Sequence, residues 1–365
     1  MRHPRGFTIV ELLLVLFILS TISLMAIEFV DNEEDQVRYD QTRDQLAVIE
    51  RAVLVTSPGT AGRAALPAGF VVDNGLLPNS IQALITAPND FDAFANQSPI
   101  FDSSPDATTG INDDAGVAMS DPEERILKGY RAAGYLTAPP GTTQAYYDGW
   151  GNVDSAPNYG WLISGPPSSF TATSLGRDNV DNSPESTDYD ADLSVTVAND
   201  AWQSDVAGWQ VDVTNRSGVD LAIDESGTGA CARVTLLVYI NDTDAVNPFN
   251  WKRLTSGCVP GNLATASDGS CLDGDGDGQV GGVVCDQTAT VTFPAAGSFQ
   301  PSTLIPTGEH LIVLIVDDDN VPHNGSAGEQ PCEGSASCTS GSRTTGRVRF
   351  LPTGLRPAPA LELRS

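Results

Sequence analysis

The feature that most constrains this chain is an uncharged apolar segment near its N-terminus. No charged residue lies between Leu12 and Ile27, and the apolar character continues to about Val30. This length approaches the roughly 20 apolar residues that span a bilayer as a helix. A short leader with two arginines precedes the segment. The sequence therefore predicts a leader over residues 1–6 and a membrane-spanning helix over residues 7–30.

A single carboxylate, Glu11, lies near the start of the apolar segment, and Gly6 and Phe7 precede it. A carboxylate in lipid costs about 2–3 kcal/mol or more unless it is paired. This combination resembles the prepilin signal of type IV pilins and type II secretion pseudopilins. In that family the prepilin peptidase cuts after the glycine, the new N-terminal phenylalanine is methylated, and the glutamate pairs with the N-terminus of a neighbouring subunit. The resemblance implies processing at Gly6 and Phe7 and an assembly role for Glu11.

Two simpler explanations of the apolar segment exist. A secretory signal peptide would end in a small-residue cleavage site. Here the segment instead passes into Glu28, Asp31 and further acidic residues. A plain membrane anchor explains the apolar run but gives no reason for Glu11. The prepilin interpretation accounts for both features.

The helix is expected to continue beyond the membrane segment, over residues 7–57 in total. Tyr39, Leu46, Ile49 and Val53 follow one another at spacings of 7, 3 and 4, which places them on one helical face. The sequence Ser-Pro-Gly at 57–59 is a stop signal. This second half is therefore amphipathic and suited to packing under a sheet.

Two shorter helices are predicted after residue 58. One lies within Leu77–Ile85 and is capped by Asn79 or Ser80. The other runs over Pro122–Arg131, with Asp121 as its N-cap and proline at its first position.

The segment Asp148-Gly149-Trp150-Gly151-Asn152 resembles the D-x-W-G-N signature of the major pseudopilin and its relatives. Its glycines permit a tight turn, while Trp150 fills the seam between helix and sheet. This interpretation is architectural and assigns no chemistry to the motif. The resemblance implies a pilin-like globular domain over residues 58–195.

Calcium is predicted from a pair of elements at 174–178 and 188–193, which are similar to the S-L-G-x-D and D-A-D-I sequences that bracket the calcium loop of major pseudopilins. Ca²⁺ takes six to eight oxygen ligands. The alternative is an acidic, solvated loop. The resemblance implies these candidate ligands: Leu175, Asp178, Asp188, Asp190 and Asp192.

A second candidate calcium loop contains Asp273, Asp275 and Asp277 in a D-x-D-x-D-G pattern. Position 12 of an EF-hand loop would be Val284, not glutamate, so the segment is not an EF-hand. Its alternative interpretation is a disulfide-flanked acidic turn.

The last part of the chain, residues 196–365, is predicted to form an all-β, sandwich-like domain. Alternating, β-branched runs separated by turn residues and without intervening helices favour a sandwich. The predicted strands are Leu193–Val197, Trp209–Val213, Val234–Ile240, Ala289–Phe293, Leu311–Val316 and Arg347–Leu351.

All six cysteines of the chain lie in this last part. They are Cys231, Cys258, Cys271, Cys285, Cys332 and Cys338. An oxidising compartment outside the cytoplasm favours disulfides. Sequence alone does not choose among the possible pairings, although Cys332 and Cys338 are close enough to close a small loop.

Charge and composition exclude several functions. The formal net charge is -28, from 47 acidic and 19 basic side chains, which repels nucleic acid. Neither His310 nor His323 lies at a zinc-type spacing to the cysteines, and no catalytic motif is present. We therefore predict that the chain is not an enzyme.

Together these features predict an α+β protein: a long N-terminal helix packed on a small antiparallel sheet, as in the pilin fold, followed by a disulfide-containing β domain. The predicted function is a structural subunit of a type II secretion pseudopilus or type IV pilus-like filament that supports protein export. The alternative is a minor pilin with an adhesin or binding domain at the filament tip. An envelope-tethered enzyme is the third, disfavoured possibility.

The resemblance also implies location and partners. The chain would cross the bacterial inner membrane once, with its globular part in the periplasm, before it enters a filament. Its partners would be other pilins or pseudopilins, the prepilin peptidase and the inner-membrane assembly platform.

Overall fold

A computed structural model of the chain describes much of both halves. The described residues are 9–56, 67–89, 91–97, 101–102, 111–112, 125–138, 145–152, 156–181, 189–216, 231–241, 251–258, 288–293, 303–317, 330–331, 345–351, 354–355 and 361–364.

The first element is one long helix, α1 (Ile9–Val53), of 45 residues. It contains neither glycine nor proline, and at 1.5 Å per residue it is about 70 Å long. The predicted buried face is confirmed, because Leu46, Ile49 and Val53 are buried and Tyr39 is partly buried. Among the residues whose side chains the structure describes, no helix combines the length and hydropathy expected of a membrane crossing.

The helix α1 ends at Val53, four residues before the predicted boundary at residue 57. Val55–Thr56 form strand β1, which pairs antiparallel with β2 (Pro67–Ala68). The strand pairing ends α1 before the Ser-Pro-Gly signal is reached.

Short elements follow, and several of them contact the second half of the chain. They are α2 (Phe70–Asn74), α3 (Ile81–Ile85), β3 (Ala95–Gln97), β4 (Phe101–Asp102), β5 (Ile111–Asn112) and β6 (Ile126–Lys128). The cap of α3 is confirmed, because the Ser80 side chain accepts a hydrogen bond from the Ala83 N–H at 3.2 Å. β3 pairs with β6, and β4 pairs with β5.

The predicted helix over Pro122–Arg131 is wrong. Its central residues form β6, in which Ile126 and Lys128 are buried and Leu127 is exposed. Pairing with β3 and burial against the second half of the chain override the local helix signals. The proposed cap, Asp121, lies outside the described residues.

A small antiparallel sheet packs on the second half of α1. Its strands, in spatial order, are β7 (Trp161–Ser164), β8 (Phe170–Ser174) and β9 (Leu193–Val197). Leu46 and Ile49 of the helix share a core with Phe170 and Val197 of the sheet. β9 matches its predicted strand, and its sheet extends two residues past the predicted domain boundary at 195.

In the described part of the second half of the chain, two of the sheets share a core. After α4 (Asn199–Trp202), the strands are β10 (Gln203–Asp205), β11 (Gln210–Arg216), β12 (Cys231–Tyr239), β13 (Trp251–Cys258), β14 (Thr288–Thr292), β15 (Leu304–Pro306), β16 (Gly308–Asp317), β17 (Gln330–Pro331), β18 (Thr345–Leu351), β19 (Gly354–Leu355) and β20 (Leu361–Arg364). One sheet has the order β14-β11-β20, and the larger has the order β13-β12-β16-β18-β19, with β17 beside β16. Valines and aromatics of both sheets meet in one cluster, as a sandwich requires.

The central strands of the larger sheet are apolar on both faces. In β12, Leu236 and Val238 face the sandwich core, whereas Leu237 and Tyr239 belong to a separate cluster that includes Ile126 of β6. Trp251, Leu311 and Val313 complete this outer cluster. The two halves of the chain, predicted as separate domains, therefore share a buried apolar surface.

Polar contacts reinforce this joint. The main-chain N–H of Asn241 donates to the Asn74 carbonyl at 2.7 Å, and its side chain donates to Asn74 Oδ1 at 3.1 Å. Asn241 Oδ1 accepts from the Asp92 N–H at 3.1 Å, and the Tyr239 hydroxyl donates to Asp92 Oδ2 at 2.9 Å. Buried, paired groups of this kind fix one relative arrangement of the two halves.

Lys128, one of two lysines in the chain, is buried in the joint. Its Nζ donates to the Val72 carbonyl at 2.6 Å, and it lies near Gly308 at the start of β16. Burial lowers the pKa of Lys128 to about 8, although Asp73 and Glu309 favour its charged form.

Candidate functional site

The N-terminal half of α1 exposes an almost unbroken apolar surface. The large apolar side chains from Ile9 to Met25 are exposed along its whole circumference. Its few polar groups bond within the helix: the hydroxyls of Ser20, Thr21 and Ser23 each donate to a main-chain carbonyl three or four residues earlier, at 2.8–2.9 Å. Such internal bonding leaves an outer surface suited to lipid or to other apolar helices.

Glu11 lies in the first turn of this helix. A carboxylate at that position is favoured by the positive end of the helix dipole. The predicted processing residues, Gly6 and Phe7, lie outside the described residues.

The motif at 148–152 joins the helix to the sheet. Gly149 approaches α1 so closely that its N–H donates to Thr42 Oγ1 at 3.0 Å, and a Cβ on Gly149 would lie 2.2 Å from the Arg38 carbonyl oxygen. Trp150 is buried beside the helix and contacts Tyr189 edge to face. Trp150 is thus buried against the loop residue Tyr189, and its predicted place in the seam between helix and sheet stays a prediction.

Asp148 and Asn152 hold the two ends of the same turn together. The buried Asp148 carboxylate accepts from the Asn152 N–H at 3.1 Å, from the Asn152 amide at 2.9 Å and from the Ser174 hydroxyl at 2.7 Å. The Asn152 amide also donates to the Gly176 carbonyl at 3.1 Å. Each named residue of the motif thus has a structural role, which agrees with the architectural interpretation.

The comparison with known families agrees with this helix. Residues 1–27 match the family described as "Prokaryotic N-terminal methylation motif". The match supports a type IV pilin-like prepilin signal, which implies processing by a prepilin peptidase and assembly with other pilins. It indicates a pilin-like or pseudopilin-type filament subunit. No curated protein and no solved structure matches the chain.

An arginine links the acidic loop that follows β8 to the helix α1. Arg177 Nε and Nη2 donate to the two carboxylate oxygens of Asp190 at 2.9 and 3.2 Å, and Nη1 donates to Asp35 of α1 at 2.8 Å. The hydrogen bonds with Asp190 and Asp35 raise the pKa of Arg177. Tyr189 adds an edge-to-face contact with Tyr39 of the helix.

This arrangement bears on the predicted calcium site in the loop. Asp190 is engaged by a guanidinium, and Asp178 Oδ1 accepts from the Val180 N–H at 3.1 Å in a local turn. Leu175 and Asp192 are partly buried nearby, while Asp188 lies outside the described residues. Within the described part of the chain, no group of three or more His, Cys, Asp or Glu side chains is placed to hold a metal ion. The described ligands alone do not form a calcium site, and calcium here stays a prediction.

The other candidate residues lie mostly beyond the described ranges. This applies to Asp273, Asp275, Asp277, Cys271, Cys285, Cys332 and Cys338. Cys231 begins β12 and Cys258 ends its partner strand β13, but their side chains are outside the described set. The second calcium loop and the disulfides therefore stay predictions.

His310 is buried in β16, where its Nε2 lies 2.8 Å from the Pro306 carbonyl oxygen. Burial and the nearby Lys128 lower the pKa of His310 to about 3. The imidazole is thus held neutral in the joint between the two halves. His323 lies outside the described residues.

Sequence reasoning missed Arg177 and Thr42, which fix the helix to the loop and to the turn. The signal for Arg177 was present: it is a lone basic residue amid the aspartates of 178–192, in a chain with few cations. Thr42 carried no comparable signal, because a threonine on a helix is matched to Gly149 only by the fold.

Proposed function

We propose that this chain is a structural subunit of a type IV pilus-like or type II secretion pseudopilus filament. The observation that carries the proposal is the outward-facing apolar half of α1, which lies in a matched methylation motif and holds Glu11 in its first turn. An apolar helix surface of this extent is stable only when lipid or other helices cover it. The membrane covers this apolar surface first, and the filament core covers it after assembly.

In this proposal, the apolar half of α1 holds the chain in the bacterial inner membrane as a single pass, with the globular part in the periplasm. The prepilin peptidase cuts after Gly6, and the inner-membrane assembly platform moves the processed chain into the filament. There the Glu11 carboxylate pairs with the Phe7 amine of a neighbouring subunit. Pairing offsets the cost of placing either charge in apolar surroundings and sets the register between helices. No enzymatic reaction is part of the proposal.

A second candidate function is a minor subunit with a binding domain at the filament tip, and the placement of the sandwich favours it. Gly69, just before α2, lies against the end of α1: a Cβ there would be 2.7 Å from the Val53 carbonyl oxygen. α2 in turn contacts the sandwich through Asn74. The added half of the chain is therefore attached at the C-terminal end of α1, away from the membrane. A large domain at that end of the subunit fits most easily at the filament tip, where no further subunit packs beyond it.

The test uses the full chain expressed in a bacterium with a prepilin peptidase and an assembly platform. Mass spectrometry of the mature N-terminus is expected to find N-methylated Phe7. A Glu11→Ala variant is expected to be inserted and processed normally, yet to be depleted from sheared or purified filaments.

Glu33→Ala supplies the matched control, because Glu33 is an exposed glutamate on the same helix. It is expected to enter filaments at the wild-type level. A mature chain that still starts at Met1 would remove the prepilin interpretation. Normal incorporation of Glu11→Ala would show that Glu11 is incidental to assembly.

A further inference from the structure

A cleft of about 1030 Å³ lies where the pilin-like half meets the sandwich. Residues in and around α3 and the Pro166–Ser168 turn line it from the first half, and the start of α4 lines it from the second. Ile240, Leu304 and Pro306 line it from the second half. Pockets for small ligands commonly measure about 300–1,000 Å³, so this cleft has room for a ligand at the large end of that class.

The described lining of the cleft contains no charged side chain. This is notable because 18% of the residues in the chain are charged and the net charge is -28. A site without Lys or Arg has no group to pair with phosphate or carboxylate, and one without Asp or Glu has none to pair with a cation. Within the described lining, therefore, no side chain is available to pair with an ionic ligand of either sign.

Neutral hydrogen-bonding groups take the place of charges. The lining includes five carboxamide side chains, namely Asn79, Gln82, Asn89, Asn199 and Gln203. All but Gln203 are exposed, and Gln203 is partly buried. Each carboxamide both donates and accepts hydrogen bonds, which matches hydroxyl groups that also do both.

Aromatic and proline rings form the apolar part of the same lining. Phe70 and Trp202 are buried, Phe91 is partly buried, and Pro166 and Pro306 lie beside them. Because Phe70 and Trp202 are buried, the partly buried Phe91 and the prolines at 88, 166 and 167 supply the apolar surface that a ligand can contact. Such a surface beside polar groups suits a ligand that has apolar ring faces and polar edges. Sugar rings have this character, with C–H groups on their faces and hydroxyls around them.

The cleft is held in shape by the joint described above. Asn241, next to Ile240, is bonded to Asn74 and Asp92. The Thr307 N–H donates to the Trp202 carbonyl at 2.7 Å, and the Trp202 indole donates to the Ser168 carbonyl at 3.0 Å. Both halves are thus fixed at the cleft, which lowers the entropic cost of binding there.

We propose that this cleft binds an uncharged oligosaccharide. The proposal does not rest on filament assembly, although it would supply a ligand class for a subunit at a filament tip. A proline-rich peptide is the competing occupant, since such peptides dock on exposed aromatic ridges. Here Phe70 and Trp202 are buried and the exposed groups are amides, which favours the saccharide.

The test uses the purified full chain in a detergent without a sugar headgroup. The chain is applied to an array of neutral and acidic oligosaccharides, and the bound compounds are titrated by calorimetry. Neutral tri- and tetrasaccharides are expected among the bound compounds, and acidic ones are not. Gln82→Ala and Asn199→Ala are each expected to weaken binding by about fivefold, the effect of one lost hydrogen bond.

Gln210→Ala and Asn96→Ala are the matched controls, because both side chains are exposed and neither lines the cleft. They are expected to leave the affinity unchanged. The proposal is overturned if the array contains no bound neutral saccharide, or if Gln82→Ala and Asn199→Ala together bind as wild type does. It is also overturned if a decaproline peptide binds and loses affinity in the same variants. Since binding is measured on purified chain, its failure leaves the assembly proposal standing, and a failure of assembly leaves the binding result standing.

Discussion

Replacement of Gly149 by alanine tests whether the turn at 148–152 fixes the helix to the sheet. The new Cβ would lie 2.2 Å from the Arg38 carbonyl oxygen and 2.7 Å from Thr42 Oγ1. Because ordinary contacts between heavy atoms begin near 3.5 Å, the turn and α1 must separate by about 1 Å or more. Overpacking of this kind costs about 1–3 kcal/mol. Loss of the Gly149–Thr42 hydrogen bond adds about 1 kcal/mol. We expect the free energy of unfolding to fall by about 2–4 kcal/mol.

The second glycine of the same turn provides the control. Gly151 has a φ of 72° and no heavy atom within 4 Å of the position of an added Cβ. Gly151→Ala therefore costs only the strain of the left-handed conformation, about 1–2 kcal/mol. Both variants are compared in the full chain by urea unfolding, followed by tryptophan fluorescence. An equal loss for the two variants, or a loss for Gly149→Ala below that for Gly151→Ala, would show that the close approach to α1 does not matter.

Two further predictions concern calcium and pH. Extracytoplasmic calcium sites bind with Kd of about 0.1–1 mM, so about 10 mM calcium should stabilise the chain by about 1.4–2.7 kcal/mol and raise its Tm, while magnesium should not. Asp275→Ala is expected to reduce that rise in Tm. Asp190→Ala should lower the Tm with or without calcium, because Asp190 pairs with Arg177. Equal melting curves in EDTA and in calcium would contradict both predicted calcium sites. For pH, the pKa of Lys128 is about 8 in the folded chain and near 10.5 when unfolded, so the folded state releases its proton first. The free energy of unfolding should therefore rise between about pH 8 and pH 10 in wild type but not in Lys128→Met, as urea titrations at several pH values can measure; an identical pH profile for the two would contradict the buried ammonium.

The parts of the fold that could be predicted from sequence are those with strong local patterns. β9 was predicted to the residue, and each of the other five predicted strands overlaps an observed one, because β-branched runs bounded by turn residues mark strands well. The buried face of α1 followed from its helical spacing alone. The cap of α3 was narrowed to Asn79 or Ser80 by their place before an apolar run, and the structure uses Ser80.

The failures share one physical origin, which is tertiary contact between segments far apart in sequence. The helix signals at 122–131 were overridden because Ile126 must be buried against Leu237 and Trp251. The apolar runs of β12 and β16 predicted strands but not their outer partner, since a continuous apolar run does not tell which element will cover each face.

The candidate site divides in the same way. The prepilin signal was predictable because its chemistry is concentrated in a few consecutive residues, which also match the methylation motif. The ion pair of Arg177 with Asp35 was not, because Asp35 is 142 residues away from Arg177. The calcium prediction for the same loop was made from its resemblance to the calcium loop of major pseudopilins, and it did not include the Arg177 guanidinium that pairs with Asp190.

The shared burial between the two halves has a consequence for tension along a filament. Leu237, Tyr239, Trp251, Leu311 and Val313 would all be exposed to water if the sandwich swung away from β6. A force applied to the sandwich must therefore expose these side chains to water and break the hydrogen bonds of Asn241 before the two halves can separate. A force applied to the sandwich would therefore reach α1 through packed side chains and hydrogen bonds that resist shear, and not through a flexible linker.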